Sequence, residues 1–116
     1  MSDIIIPIRA EDCAFLYLTL KKKWYDMIAS GGKRQEYRDY KQYWKVRIDN
    51  WCAKDAILVV AFSCGRRKAD MFFTVDRENP VIVSKRAAFR NWGEPDKPHF
   101  AIYLDKRVQP MRGGAL

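Results

Sequence analysis

The eight residues GGKRQEYR, from Gly31 to Arg38, place a glycine pair, then a lysine, a glutamate and an arginine at offsets of two, five and seven from Gly31. Paired glycines permit a tight turn and let a phosphate or a base come close to backbone N–H groups. Lys33, at the rim of such a turn, offers a mobile positive charge for a phosphate, or a base if a cleft wall desolvates it. Glu36 is suited to accept hydrogen bonds from an amino group on a base edge, or to carry protons. Arg38 can pair with Glu36 and also fork onto a phosphate. In an extended chain Arg34, Glu36 and Arg38 share one face, and Lys33, Gln35 and Tyr37 the other. A plainer reading stands beside this one: Glu36 and Arg38 form a structural ion pair, and Lys33 is simply solvated.

Charge and aromatic side chains gather round the segment. Tyr37, Tyr40, Tyr43 and Trp44 follow it, interleaved with charge, as in proteins that stack unpaired bases between basic residues. Of these, Tyr37 or Tyr40 is the better stacking surface and Trp44 a core residue. Lys21, Lys22 and Lys23 precede it at a helix start, where cations oppose the helix dipole unless an anion docks nearby. GRRK at 65–68, with Lys85, Arg86 and Arg90, adds cations suited to backbone phosphates or to a solvated surface. The whole chain has 22 Lys and Arg against 14 Asp and Glu, a formal charge of +8, and a field of that sign attracts nucleic acid, nucleotides or an acidic surface.

Three cysteines, Cys13, Cys52 and Cys64, with no CxxC spacing, and a single histidine, His99, do not make up a zinc ligand set. No metal and no cofactor is expected, and His99, heading an apolar run, reads as structural. The opening MSDIIIPIRAEDCAF has an early aspartate and only a short apolar run, which argues against a signal peptide or a membrane span and for a reducing cytoplasm.

The elements that must position these groups follow from patterning. At 116 residues with 48% hydrophobic content, residues 1–116 are expected to form one domain. FLYLTL (15–20) reads as a strand; Leu20, Trp24, Met27 and Ile28 then recur at helical spacing until SGG closes the turn. KRQEYRDY suits a two-faced strand, and KQYWKVRIDNW a short helix to which Tyr43, Trp44, Val46 and Trp51 contribute apolar surface. AILVVAF (56–62) is the clearest strand and the expected centre of the core. MFFTV, VIVSKRAAF and HFAIYL supply further strands before a ragged, glycine-containing tail. The fold class expected is α+β: a small mixed or antiparallel β-barrel with two short helices towards the N-terminal half.

GGKRQEYR also fits the GxKxxExR signature of the ASCH domain, and it stands in the strand, helix, glycine, strand context of that family. LTLKKKWYDMIASG, and NWGEP followed by HFAIYL, resemble segments of the small stand-alone ASCH proteins of bacteria and their phages; the similarity runs from about residue 15 to 105. The resemblance implies a PUA-like barrel with a cleft beside the motif, in a family associated with RNA binding, RNA cleavage and hydrolysis of acetylated cytidine.

Taken together, these features predict recognition of RNA or of a modified nucleotide in a basic cleft lined by Gly31, Gly32, Lys33, Glu36, Tyr37, Arg38, Lys21 and Lys22, with no membrane and no metal partner. The alternative is an enzyme in the same cleft, a metal-independent ribonuclease or an amidohydrolase acting on acetylated cytidine-type nucleosides, with Lys33 and Glu36 catalytic. The amidohydrolase version of the motif carries a threonine where this chain has Glu36, and neither Thr19 nor Ser30 stands at the matching position.

Overall fold

Among the described residues, Leu58 to Phe62 form the most deeply buried run, each residue 3% exposed or less. They lie in a strand, and a strand with five consecutive buried residues must be covered on both faces, so the rest of the molecule is arranged round that requirement. The computed structural model describes residues 4–84 and 98–112. In chain order these form β1 (Ile6–Arg9), a 3-10 turn at Ala10–Asp12, β2 (Cys13–Leu20), α1 (Lys22–Ala29), β3 (Gln35–Asp39) and α2 (Gln42–Cys52). There follow β4 (Ile57–Cys64), β5 (Met71–Thr74), β6 (Val81–Ser84), β7 (His99–Tyr103) and β8 (Arg107–Met111). The fold is mixed α+β.

Two sheets are built from these strands, a five-stranded one in the order β1-β8-β5-β4-β2 and a three-stranded one in the order β3-β7-β6. The central β4 runs parallel to β2 and antiparallel to β5. Parallel neighbours need a long crossover, and here the segment between β2 and β4 contains α1, β3 and α2. The candidate motif is therefore carried on the crossover, with β3 handed to the second sheet, where it pairs antiparallel with β7. Among the described residues no strand ladder joins the two sheets.

The core lies where Leu16, Leu18 and Leu20 of β2 and Leu58, Val60 and Phe62 of β4 meet Phe100 and Ile102 of β7. Ile28 of α1 and Ile48 and Trp51 of α2 complete it. The indole N–H of Trp51 donates to the Ala14 carbonyl at 2.8 Å, which pins α2 to β2. Tyr43 and Val46, expected on the apolar face of this helix, are instead 57% and 46% exposed, because Ile48 and Trp51 set the buried stripe.

Two strands depart from the sequence reading. Ile6–Arg9 was only a short apolar run, and Arg107–Met111 fell in the ragged tail, yet they pair in parallel as β1 and β8. The expected strand VIVSKRAAF is β6 as far as Ser84; its remainder, with Lys85, Arg86, Arg90 and NWGEP, lies outside the described residues.

Candidate functional site

The end of α1 sets the position of the charged segment. Ser30 N–H still bonds to the Asp26 carbonyl, and Gly31 then turns the chain with φ +84, its N–H donating to Ile28 O at 3.1 Å. The Lys33 N–H donates to Met27 O at 3.0 Å, so the lysine backbone is tied to the helix it follows. Gly31 requires glycine's left-handed freedom. Gly32 does not, since a Cβ there would meet only ordinary contacts at 3.6 Å.

Lys33 is the main correction to the sequence reading. Expected at a solvated rim, its side chain is 1% exposed, and Nζ donates to Glu36 Oε1 at 2.9 Å. Regular strand pairing begins only at Gln35, so residues 33 and 34 escape the alternation expected of them. Lys33 turns in beside Glu36, with its ammonium 4.9 Å from the Tyr37 ring centroid and 5.3 Å from that of Trp24. Arg34 leaves the expected trio, and its Nη2 donates instead to the carbonyls of Leu104 and Asp105.

Glu36 and Arg38 do share a face of β3, the one whose register partners are Ile102 and Phe100 of the core. Arg38 Nη2 reaches Glu36 Oε2 at 2.7 Å and the Thr19 carbonyl at 3.2 Å, linking the three-stranded sheet to β2. Its guanidinium lies 4.9 Å from the Trp44 ring centroid. One carboxylate thus bridges two cations inside a wall of indoles and a phenol, and the formal charge of the cluster is +1. Among the described residues, the buried Nε of Arg38 has no hydrogen-bond acceptor.

The other expected residues divide. Tyr37 is 5% exposed, and its hydroxyl donates to Gln35 Oε1, while its ring meets His99 edge-on at 5.5 Å. It is a wall of the cluster and offers no open face for a base; its burial pushes the phenol above the usual tyrosine range. Tyr40 and Tyr43 are the exposed rings, Tyr40 tilted against Phe100 and Tyr43 edge-on to Trp44. His99 is buried on β7, in keeping with a structural part. Lys21 and Lys22 are exposed at the start of α1, where Lys22 pairs with Asp26 rather than with the cluster. That helix starts without a side-chain cap or an acidic residue in its first turn.

Two participants escaped the sequence reading. Trp24 was counted only as a core-facing helix residue, although its ring flanks both Lys23 and Lys33. The Thr19 carbonyl could not be found from residue types, because any residue supplies one. Among the described residues no group of three or more His, Cys, Asp or Glu side chains is placed to hold a metal ion, and no helix is long and apolar enough to cross a membrane. The chain matches no protein-family model, no curated protein and no solved structure. Geometry therefore has to carry the functional reading.

Proposed function

We propose that this protein recognises RNA or a modified nucleotide through the Lys33, Glu36 and Arg38 cluster, in a PUA-like domain of which the two sheets are the halves. The observation that supports this most directly is the composition of the cluster. Burying three charges costs more than their mutual attraction returns in many proteins, and an apolar trio would fill the same space at lower cost. Here the trio carries one excess positive charge, and a guanidinium N–H remains without an acceptor among the described residues. An anionic or acceptor-rich ligand supplies both missing items. Exposed Tyr40 and Tyr43 give stacking surfaces beside it on the same crossover, and Lys21 and Lys22 add long-range attraction.

Fluorescence anisotropy with labelled single-stranded RNA, repeated across a salt series, tests the proposal. Affinity should fall with rising salt along a logarithmic slope of about −0.7 for each phosphate neutralised. Arg38→Gln, in a protein that still melts cooperatively, should weaken binding about tenfold or more. No binding at low salt to RNA or to acetylated cytidine, or an affinity indifferent to Arg38, sinks it.

A hydrolytic reading has one observation of its own, the direct hydrogen bond between the buried Lys33 ammonium and Glu36, a pair able to exchange a proton with a bound substrate. Incubating the same RNA in EDTA distinguishes the two. Cleavage lost in a Glu36→Gln protein that still melts cooperatively makes the cluster catalytic, and a shift without cleavage leaves it a binding site.

A further inference from the structure

A cavity is lined by Gly31 and Arg34, the two ends of the turn that carries Lys33. It has a volume of about 430 Å³, within the range of small-molecule sites, and none of Lys33, Glu36 and Arg38 lines it. Ile28 and Phe73, both buried, form its floor, and Ile6 adds a half-open apolar edge. Arg34, Lys106 and Arg107 stand round it with Asp105, so that its formal charge is +2.

The wall is held in place before any ligand arrives. Arg34 Nη2 donates to the Asp105 carbonyl at 2.6 Å, and the Leu104 N–H returns a bond to Arg34 O at 2.9 Å. From the other side Asp105 N–H donates to Thr74 O, and Thr74 N–H to Lys106 O. The turn that carries Lys106 and Arg107 is therefore fixed between β3 and β5. Ala29, at the end of α1, and the following Ser30 and Gly31 also line the cavity. The Asp26, Met27 and Ile28 carbonyls are already taken by the N–H groups of Ser30, Lys33 and Gly31, so the Ala29 carbonyl, at the negative end of the helix dipole, is the acceptor this wall offers to a hydrogen-bond donor.

We infer that this cavity binds a nucleoside monophosphate, with the base on Ile28 and Phe73, its amino edge towards the end of α1, and its phosphate at Lys106 and Arg107. An aliphatic acid would satisfy the floor and the cations but would bring no donor to the helix end. A free phosphate would leave the apolar floor in water. A base-bearing phosphate monoester meets all three surfaces at once, and two net cations match its two charges. Arg34 is already bonded to the Leu104 and Asp105 carbonyls, which leaves Lys106 and Arg107 as the phosphate contacts. The inference does not rest on the role proposed for the Arg38 cluster.

The test is an NMR titration of the isotope-labelled full chain with AMP, adenosine and inorganic phosphate, each to millimolar concentration. AMP should shift the amides of residues 29–31 and 105–107 at lower concentration than either fragment. Lys106→Ala should weaken AMP about tenfold, and Ala29→Phe, which fills the cavity from an exposed helix position, should abolish binding without touching the core. Absence of AMP shifts at those amides in the wild-type protein overturns the inference. So does AMP binding that survives Ala29→Phe but disappears in Arg38→Gln, which would put the nucleotide in the other cluster. Competition by a 5′-phosphorylated tetranucleotide would make an RNA end the source of the nucleotide; no competition would make it a free nucleotide, and either result upholds the cavity. If RNA fails to bind while AMP still does, the cluster proposal falls and the cavity stands.

Discussion

Glu36 accepts from Lys33 on one oxygen and from Arg38 on the other, so its carboxylate is the part of the cluster that neither neighbour can replace. Glu36→Gln keeps the volume but leaves two cations without a counter-charge in a largely dry site. Unfolding in urea should show a loss of about 3–5 kcal/mol, the usual penalty for breaking a buried pair from one side. A loss under about 1 kcal/mol would mean that the trio is far better hydrated than its burial indicates. The glycines make a second comparison. Gly31→Ala places a Cβ on a residue at φ +84 and should cost about 1–2 kcal/mol, whereas Gly32→Ala should lie within about 0.5 kcal/mol of wild type. Equal melting temperatures for the two variants would contradict the turn geometry. At this scale the sequence showed which side chains assemble, because lysine, glutamate and arginine at that spacing have few reasons to be together. It did not show that Lys33 is buried, since that depends on where strand pairing starts, and a single added or missing ladder bond decides it.

Helix α1 starts badly for a helix. Lys21 is its N-cap residue and makes no side-chain cap, and Lys22 and Lys23 follow at the positive end of the dipole. Lys21→Asp would supply a cap and favourable charge together, and should stabilise the fold by about 1 kcal/mol. In the same protein RNA affinity should fall if the lysines attract phosphate, so stability and binding would move in opposite directions. Parallel movement in thermal melts and anisotropy would remove Lys21 from the binding surface. Most elements were legible because each carries its own period: β4 as an unbroken apolar run, α1 through Trp24 and Ile28. The exceptions were β1 and β8, which contain Pro7 and Pro110. Proline argues against a strand unless its missing N–H faces no partner. Here β1 is an edge, and β5 pairs with β8 only at Val108 and Arg107, so Pro110 lies beyond that ladder. A tertiary arrangement of this kind leaves no local trace in the sequence.

For the whole molecule, burial and alkaline pH act against each other. Burial raises the thiols of Cys13 and Cys52 above the ordinary value of 9.0, helped by Asp12 for the first and Asp49 for the second. It likewise raises the phenols of Tyr25 and Tyr37 above 10.0, with the Asp70 hydrogen bond adding to the effect at Tyr25. An acid whose pKa is raised by folding keeps its proton in the native state after the unfolded chain has lost it. Above the unfolded value the native state therefore binds more protons, and stability falls as pH rises. The thiols start that decline near pH 9 and the phenols steepen it past pH 10. Lys22 and Lys45, raised by their hydrogen bonds to Asp26 and Asp49, act in the same direction at still higher pH, though their exposure makes the effect small. Melting temperatures recorded with a reductant from neutral pH upward should hold level and then drop from about pH 9. Replacing Cys13 and Cys52 by serine should move the onset to the tyrosine range, near pH 10. An onset unchanged in that double variant would show that the thiols ionise as freely in the folded protein as in the unfolded chain, and that the half-buried surface of β2 and α2 is open to water.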